Sequence, residues 1–150
     1  MQNIIEAIIL KWGRREGSDI DNLTMLKYLI PGNVLARALE IVDSDAIERI
    51  NSKTASAYRV YGSRSTPYRC TKRCCSCPAF LHTVILNEQS HFCKHQLAAI
   101  IAEALDRINV TITVNEQAYV NLALDDSLSI LPNQIINRND RSPENKTELK

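Results

Sequence analysis

The sequence has no apolar run near the roughly 20 residues needed to cross a bilayer, so we expect no membrane partner. Its first segment, "MQNIIEAIILKWGRR", also lacks the order of a secretory signal, because Glu6 interrupts the apolar stretch and the basic residues follow it. We therefore expect the protein to remain inside the cell. Disulfide bonds are rare there, and clustered cysteines more often bind a metal or take part in catalysis.

The chain also has little net charge, since 18 basic and 17 acidic residues give +1 at pH 7. An autonomous, tight nucleic-acid-binding protein is usually more basic than this. No internal repeat is present, and 150 residues are enough for one domain with a hydrophobic core. Together these features favour an ordinary globular domain over a repeat array or a strongly basic DNA-binding protein.

Hydrophobic periodicity predicts an α+β fold that begins with three helices. In residues 1–13 the apolar side chains recur at helical spacing, and Gly13 is a suitable end. Residues 22–30 and 33–42 are predicted to form the second and third helices, with Asn33 as the N-cap of the third. Three segments that favour strands follow and predict a small antiparallel sheet: residues 46–52, 56–62 and 68–72.

The second half of the chain is predicted to contain one strong helix, which runs from Cys93 to Ile108. The segment from Thr113 to Glu116 has the form of a capping box and predicts a short helix. The polar segment from Pro132 onward is predicted to be a disordered tail. These boundaries divide the chain into an N-terminal helical region (1–45), a central module with its following helices (46–131) and the tail (132–150).

Four potential metal ligands follow the pattern C-x-C-x15-C-x-H, formed by Cys75, Cys77, Cys93 and His95. Three thiolates and one imidazole are a closed donor set for one structural zinc ion. Residues two apart on an extended segment point to the same side, so the first two sulfurs can converge. Residues two apart on a helix diverge, which places Cys93 at or before the helix start and His95 in its first turn.

Other assignments of the cysteines and histidines remain open. Cys74-x-x-Cys77 is also an acceptable zinc knuckle, and Cys70 lies only four residues upstream of Cys74. We prefer Cys75 because one intervening residue keeps both sulfurs on one strand face, and we interpret Cys70 as a strand residue. His82 and His91 are expected at the surface. Inert buried cysteines or a Cys–His nucleophile are weaker interpretations, since four ligand-type residues exceed what a nucleophile requires.

The segments "CSCPAF" and "CKHQLAAIIAEAL" resemble the SWIM-type zinc finger, a strand–strand–helix module, over about residues 58–105. Within that family the chain is most similar to the small stand-alone SWIM-domain subunit of the Shu complex. Cys74, directly before the C-x-C pair, departs from the family pattern. The resemblance implies one structural zinc and a nuclear protein that acts in homologous recombination. It also implies a partner, a paralogue of the RecA-type recombinase.

Two functions are compatible with these features. In the first, the protein is an adaptor that binds the recombinase paralogue and promotes recombinase filaments on single-stranded DNA. In the second, it is a nucleic-acid-binding zinc finger, because no acidic residue occurs between Lys53 and Asn87. The candidate nucleic-acid contacts are Arg59, Arg64, Arg69, Lys72 and Arg73, although these residues also suit the solvated face of a sheet. We expect no enzymatic activity, because no carboxylate-rich nuclease core is evident.

The first helix supplies a candidate partner interface at Ile8 and Trp12. Its apolar residues cover more of the helix than one small module needs for its own core, and exposed apolar patches often mark interfaces. Tryptophan is also enriched among residues that dominate binding energy. In the alternative interpretation, all of these side chains pack on the second and third helices.

Overall fold

The computed structural model describes residues 1–62, 66–124 and 135–137, and it confirms the predicted α+β fold. Three helices come first: α1 (Gln2–Gly13), α2 (Asp19–Leu29) and α3 (Gly32–Asp43). Helix α2 begins three residues before the predicted start, because the Ser18 side chain accepts a hydrogen bond from the Asp21 amide. The prediction that Asn33 caps α3 is wrong, since Pro31 occupies the N-cap position.

Five strands form one sheet in the order β3-β2-β1-β4-β5. They are β1 (Ile47–Asn51), β2 (Ser56–Val60), β3 (Tyr68–Cys70), β4 (Val110–Thr113) and β5 (Ile135–Asn137). The three predicted strands, β1 to β3, pair antiparallel as expected. The sheet as a whole is mixed, because β4 pairs parallel to β1 and β5 pairs antiparallel to β4. The predicted antiparallel sheet of three strands is therefore confirmed, whereas the sequence did not predict β4, β5 or the parallel pairing.

Strand β5 lies within the segment that the sequence predicts to be a disordered tail. For residues 135–137 that prediction is wrong, because their backbone pairs with β4. The rest of the predicted tail from residue 138 onward, and residues 132–134, lie outside the described residues. So does most of the predicted turn between β2 and β3, residues 63–65.

Two further helices and a π-helix complete the described fold. The π-helix (Phe80–Leu86) precedes α4 (Lys94–Ala104), and α5 (Glu116–Leu124) follows β4. Helix α4 ends before the predicted Ile108, because Leu105 is its C-cap and Asp106 has a positive φ of 56°. The Asn115 side chain caps α5 by accepting a hydrogen bond from the Ala118 amide at 2.8 Å, whereas the predicted cap residue, Thr113, ends β4.

Helix α4 lies at the centre of the main hydrophobic core. Eight of its eleven residues are buried, and Leu97 and Ile101 pack with α1, α3 and one face of the sheet. The same core includes Cys70 and Cys75, so the cysteine cluster is continuous with the packing of the N-terminal helices. The opposite face of the sheet forms a smaller core with α5 around Ile50, Ile112, Val114 and Leu122. No described helix is both long and apolar enough to span a membrane.

Trp12 is buried rather than displayed on the surface of α1. Its side chain is only 8% exposed, and its indole Nε1 donates a hydrogen bond to Asp19 Oδ1 at 2.8 Å. Ile8 is partly buried against the main core. The surface expected at Ile8 and Trp12 is therefore not present in this form, because these side chains pack inside the domain. The exposed apolar residues of α1 are instead Ile4 and Leu10, together with Met1 at its N-cap.

Gly13 permits the close approach of α1 to α4, which leads to a stability prediction. A Cβ atom added at Gly13 meets the backbone carbonyl of Ala104, with its carbonyl carbon only 2.8 Å away. Gly13→Ala is therefore expected to lower the free energy of unfolding by about 1–3 kcal/mol through overpacking. Urea unfolding of the zinc-loaded protein measures the change. Gly32→Ala is the matched control, because nothing lies within 4 Å of its new Cβ. Equal stability of the two variants contradicts the prediction.

Candidate metal centre

The structure brings the four predicted ligands together in one buried cluster. Their ligand atoms, three sulfurs and one ring nitrogen, all lie within 4.8 Å of one another, and the residues are Cys75, Cys77, Cys93 and His95. The first pair follows β3, and the second pair lies at the start of α4. Two ligand pairs with fifteen residues between them thus converge on one point.

A short antiparallel hairpin positions Cys75. The Thr71 amide donates to the Cys74 carbonyl at 2.8 Å, and the Ser76 amide donates to the Arg69 carbonyl at 3.0 Å. Between these two bonds, Cys70 and Cys75 face each other in an isolated antiparallel bridge. Because side chains alternate along an extended segment, Cys75 and Cys77 are buried while Cys74 is exposed.

Backbone amides donate hydrogen bonds to two of the sulfurs. Cys77 Sγ accepts from the Phe80 amide at 3.3 Å. Cys93 is the N-cap of α4, where its Sγ accepts from the Gln96 amide at 3.4 Å and its own amide donates to Gln96 Oε1. This arrangement is a capping box in which a thiol replaces the usual hydroxyl. Amide donors and the positive end of the helix dipole both favour a negatively charged sulfur.

The imidazole of His95 is held in the first turn of α4. Its ring is buried and stacks on Tyr68, with ring centroids 4.3 Å apart and planes inclined by 30°. Its Nδ1 atom lies 4.0 Å from Cys75 Sγ. His82 and His91 are exposed, as expected from the sequence. The stacking fixes the direction of the His95 ring toward the cysteines.

The thiols of the cluster titrate as one unit because their sulfurs contact each other. Hydrogen bonds from Cys75 and Cys93 lower the pKa of Cys77. The pKa of Cys75 is raised, chiefly by its contact with Cys70, and that of Cys93 is raised, chiefly by its contact with Cys75. Buried sulfurs this close repel one another when all are ionised, and a divalent cation removes that repulsion. The donor set fits a single structural zinc ion with tetrahedral coordination.

The candidate nucleic-acid contacts do not share one exposed surface. Arg59 is buried, and Arg69, its partner across the β2–β3 pair, is half-buried on the same face of the sheet. Lys72 and Arg73 are exposed in the hairpin turn, where Lys72 Nζ lies 3.1 Å from Glu103 Oε2. Arg64 lies outside the described residues. Of the four candidates that the structure describes, the ones exposed to solvent are therefore Lys72 and Arg73.

The buried donor set, the hairpin and the helix capped by a ligand define a zinc finger of the strand–strand–helix type. The SWIM zinc finger family model matches residues 58–104, which contain all four donors. A mouse relative, named zinc finger SWIM domain-containing protein 7, is 30% identical over 113 residues, which cover 73% of this chain and 74% of the relative. The chain belongs to the family of that protein.

The human relative of the same name is 38% identical over 86 residues, or 55% of this chain and 61% of the relative. The zebrafish relative (Danio rerio) is 33% identical over 88 residues, or 57% and 63%. The chain thus matches somewhat less than two thirds of the length of these two relatives. No solved structure matches the chain. The family and its zinc finger follow from these matches together with the buried donor set.

The sequence did not predict two features next to the metal centre. The Cys70 and Cys75 sulfurs are 3.1 Å apart, a contact that the strand assignment of Cys70 did not suggest. The alternation of buried side chains in β3 was the available signal, because it directs Cys70 to the same face as Tyr68. The π-helix between the two ligand pairs was also missed, since its apolar run has neither strand nor α-helix periodicity.

Proposed function

We propose that this protein is a zinc-stabilised, non-catalytic adaptor of homologous recombination in the nucleus. In this proposal it is a Shu-type subunit that binds a paralogue of the RecA-type recombinase and promotes assembly of recombinase filaments on single-stranded DNA. The observation that carries the proposal is the match to zinc finger SWIM domain-containing protein 7 across most of the described fold. The buried four-donor set agrees with it, because catalytic zinc sites keep a position open for water or substrate.

The π-helix offers the surface that we assign to the partner. Leu81, Ile85 and Leu86 are 51%, 53% and 62% exposed. In a π-helix, residues four and five apart lie above one another, so these three side chains form one apolar patch. The patch lies between Cys77 and Cys93, and zinc therefore anchors both of its ends. Exposed apolar patches of this kind are typical of protein interfaces.

A pull-down with surface variants tests this assignment. The double variant Ile85→Ser/Leu86→Ser is expected to reduce recovery of a RecA-type recombinase paralogue from cell extracts at least tenfold, because the apolar contact is lost. Zinc content and thermal stability are measured alongside. Ile20→Ser on α2 is the matched control, since Ile20 is 76% exposed and its loss changes a different apolar surface.

Different outcomes test the assigned surface and the adaptor function. Recovery of the paralogue by the wild-type protein and by both variants contradicts the assignment of the patch. The adaptor function itself is contradicted if the wild-type protein recovers nucleic acid and quantitative mass spectrometry finds no paralogue among the bound proteins.

A second candidate function, direct contact with single-stranded DNA, is supported by a basic surface depression of about 570 Å³. Lys53, Lys72 and Arg73 line it together with hydroxyl side chains, among them Thr54 and Thr71. Ammonium, guanidinium and hydroxyl groups are the usual donors to phosphate oxygens. Glu103 also lines the depression and pairs with Lys72, which lowers its net positive charge. DNA contact is therefore proposed as auxiliary to partner binding. The same purification, repeated after nuclease treatment, distinguishes partner binding from contact with DNA.

A further inference from the structure

Cys70 is a buried thiol that the zinc site does not use. It is not among the residues whose ligand atoms lie within 4.8 Å of one another. Its sulfur nevertheless lies 3.1 Å from the sulfur of Cys75, and both side chains are buried. A fifth cysteine in contact with one ligand, and outside the four-donor set, has no role in tetrahedral coordination.

The backbone around this pair is suited to a disulfide bond. The bonds from Thr71 to Cys74 and from Ser76 to Arg69 flank Cys70 and Cys75, which makes them a non-hydrogen-bonded pair of an antiparallel ladder. In such pairs the Cα atoms are about 4.5 Å apart. Disulfides span Cα separations of roughly 4.4–6.8 Å. The pair therefore falls within the separation that a disulfide can span.

We propose that Cys70 and Cys75 form a peroxide-sensitive thiol pair that reversibly releases zinc from this site. In the first step the Cys75 thiolate attacks hydrogen peroxide. The O–O bond breaks, and with one proton the products are a sulfenic acid on Cys75 and water. In the second step the Cys70 sulfur attacks the Cys75 sulfur. The S–O bond breaks, the disulfide forms, and the Cys70 proton leaves with the hydroxide as a second water. The two sulfurs lose two electrons, and peroxide accepts them.

Loss of Cys75 leaves two sulfurs and one imidazole, too few donors for a closed structural zinc site. A surface cavity of about 410 Å³ adjoins the hairpin and is lined by Cys70, Thr71, Cys74 and Ser76. A thiol reductant restores both thiols by thiol–disulfide exchange. This inference concerns the zinc site alone and does not depend on the identity of the partner.

The test treats the zinc-loaded Cys74→Ser protein with graded hydrogen peroxide and follows zinc release with a chromogenic chelator. This background removes the exposed thiol next to the pair. Trypsin cleavage after Arg69 and Lys72 isolates Cys70 on a short peptide, and fragmentation mass spectrometry identifies the cysteine joined to it. The expected result is a Cys70–Cys75 link that forms in proportion to released zinc. Dithiothreitol with added zinc is expected to restore at least three quarters of the bound metal.

The matched variant adds Cys70→Ala to the same background. Without the second thiol, oxidised Cys75 proceeds to sulfinic acid, which thiols do not reduce, and we expect recovery of zinc to fall at least threefold. Zinc released while Cys70 remains a free thiol overturns the proposal, as does a link between other cysteines. Equal recovery with and without Cys70 also overturns it. The disulfide is mapped in the Cys74→Ser protein, which retains Cys70. That measurement therefore tests the proposal even if Cys70→Ala destabilises the fold.

Discussion

Replacing Cys93 by serine is expected to abolish stoichiometric zinc binding and to unfold the protein at room temperature. The free energy of zinc binding in such sites is largely free energy of folding, on the order of 10 kcal/mol or more. Most domains are stable by only about 5–15 kcal/mol in total. The substitution is specific, because a serine hydroxyl at the N-cap still accepts the hydrogen bond that Cys93 Sγ takes from the Gln96 amide. Its effect therefore reports the missing thiolate rather than a missing helix cap.

Cys74→Ser is the matched control for this prediction. Cys74 is an exposed cysteine beside the cluster, and its replacement is expected to leave one zinc per chain and to change stability by less than about 0.5 kcal/mol. Metal analysis and circular dichroism of both purified variants give the comparison. Loss of zinc in Cys74→Ser together with retention in Cys93→Ser contradicts the ligand assignment and favours a different donor set.

Complete removal of zinc by a chelator is expected to eliminate amide-exchange protection in β2, β3 and the first turns of α4. The apolar support of β2 and β3 is limited, because few large apolar residues lie between Ser52 and Phe80, and the start of α4 holds two of the ligands, Cys93 and His95. The loss is expected to extend into α1 and α3, since the ligand sulfurs belong to the same core as Ile5, Ile9 and Leu35. Hydrogen–deuterium exchange with mass spectrometry measures protection segment by segment.

Zinc added in excess over the chelator is the control for this experiment, and it is expected to restore the exchange pattern. The smaller core around Ile50 and Ile112 shows whether unfolding extends to the whole domain, because the metal ligands do not belong to that core. Unchanged protection of β3 and α4 in metal-free protein makes the zinc incidental to the fold and refutes the prediction.

The helices and the ligand set were predictable because each depends on local sequence. The spacing of Ile5, Ile9 and Trp12 and the position of Gly13 define α1 without reference to the rest of the chain. Cys75 and Cys77 need only strand alternation to face one side, and Cys93 and His95 need only a helix start. Geometry over a few residues was therefore enough to select four donors that the fold brings together.

The missed features depend on contacts between distant segments. Strand β4 has only four residues, Val110–Thr113, and its parallel pairing with β1 has no local signature. The burial of Trp12 depends on Asp19 and on the close approach of α4 at Gly13, neither of which periodicity reveals. The same is true of Cys70, whose contact with Cys75 arises from the register of a hairpin. Tertiary packing determined each of these outcomes.

The parallel pairing of β1 with β4 has a consequence for the entropic cost of folding. All residues between these strands, 52–109, form the connection that must close before the pair can form, and the zinc finger lies inside that connection. The entropic cost of closing a flexible loop rises with the logarithm of its length. A metal ion that joins residues 75–77 to residues 93–95 shortens the free path between β1 and β4. When zinc is already bound, the entropic cost of closing the parallel pair is therefore expected to be lower.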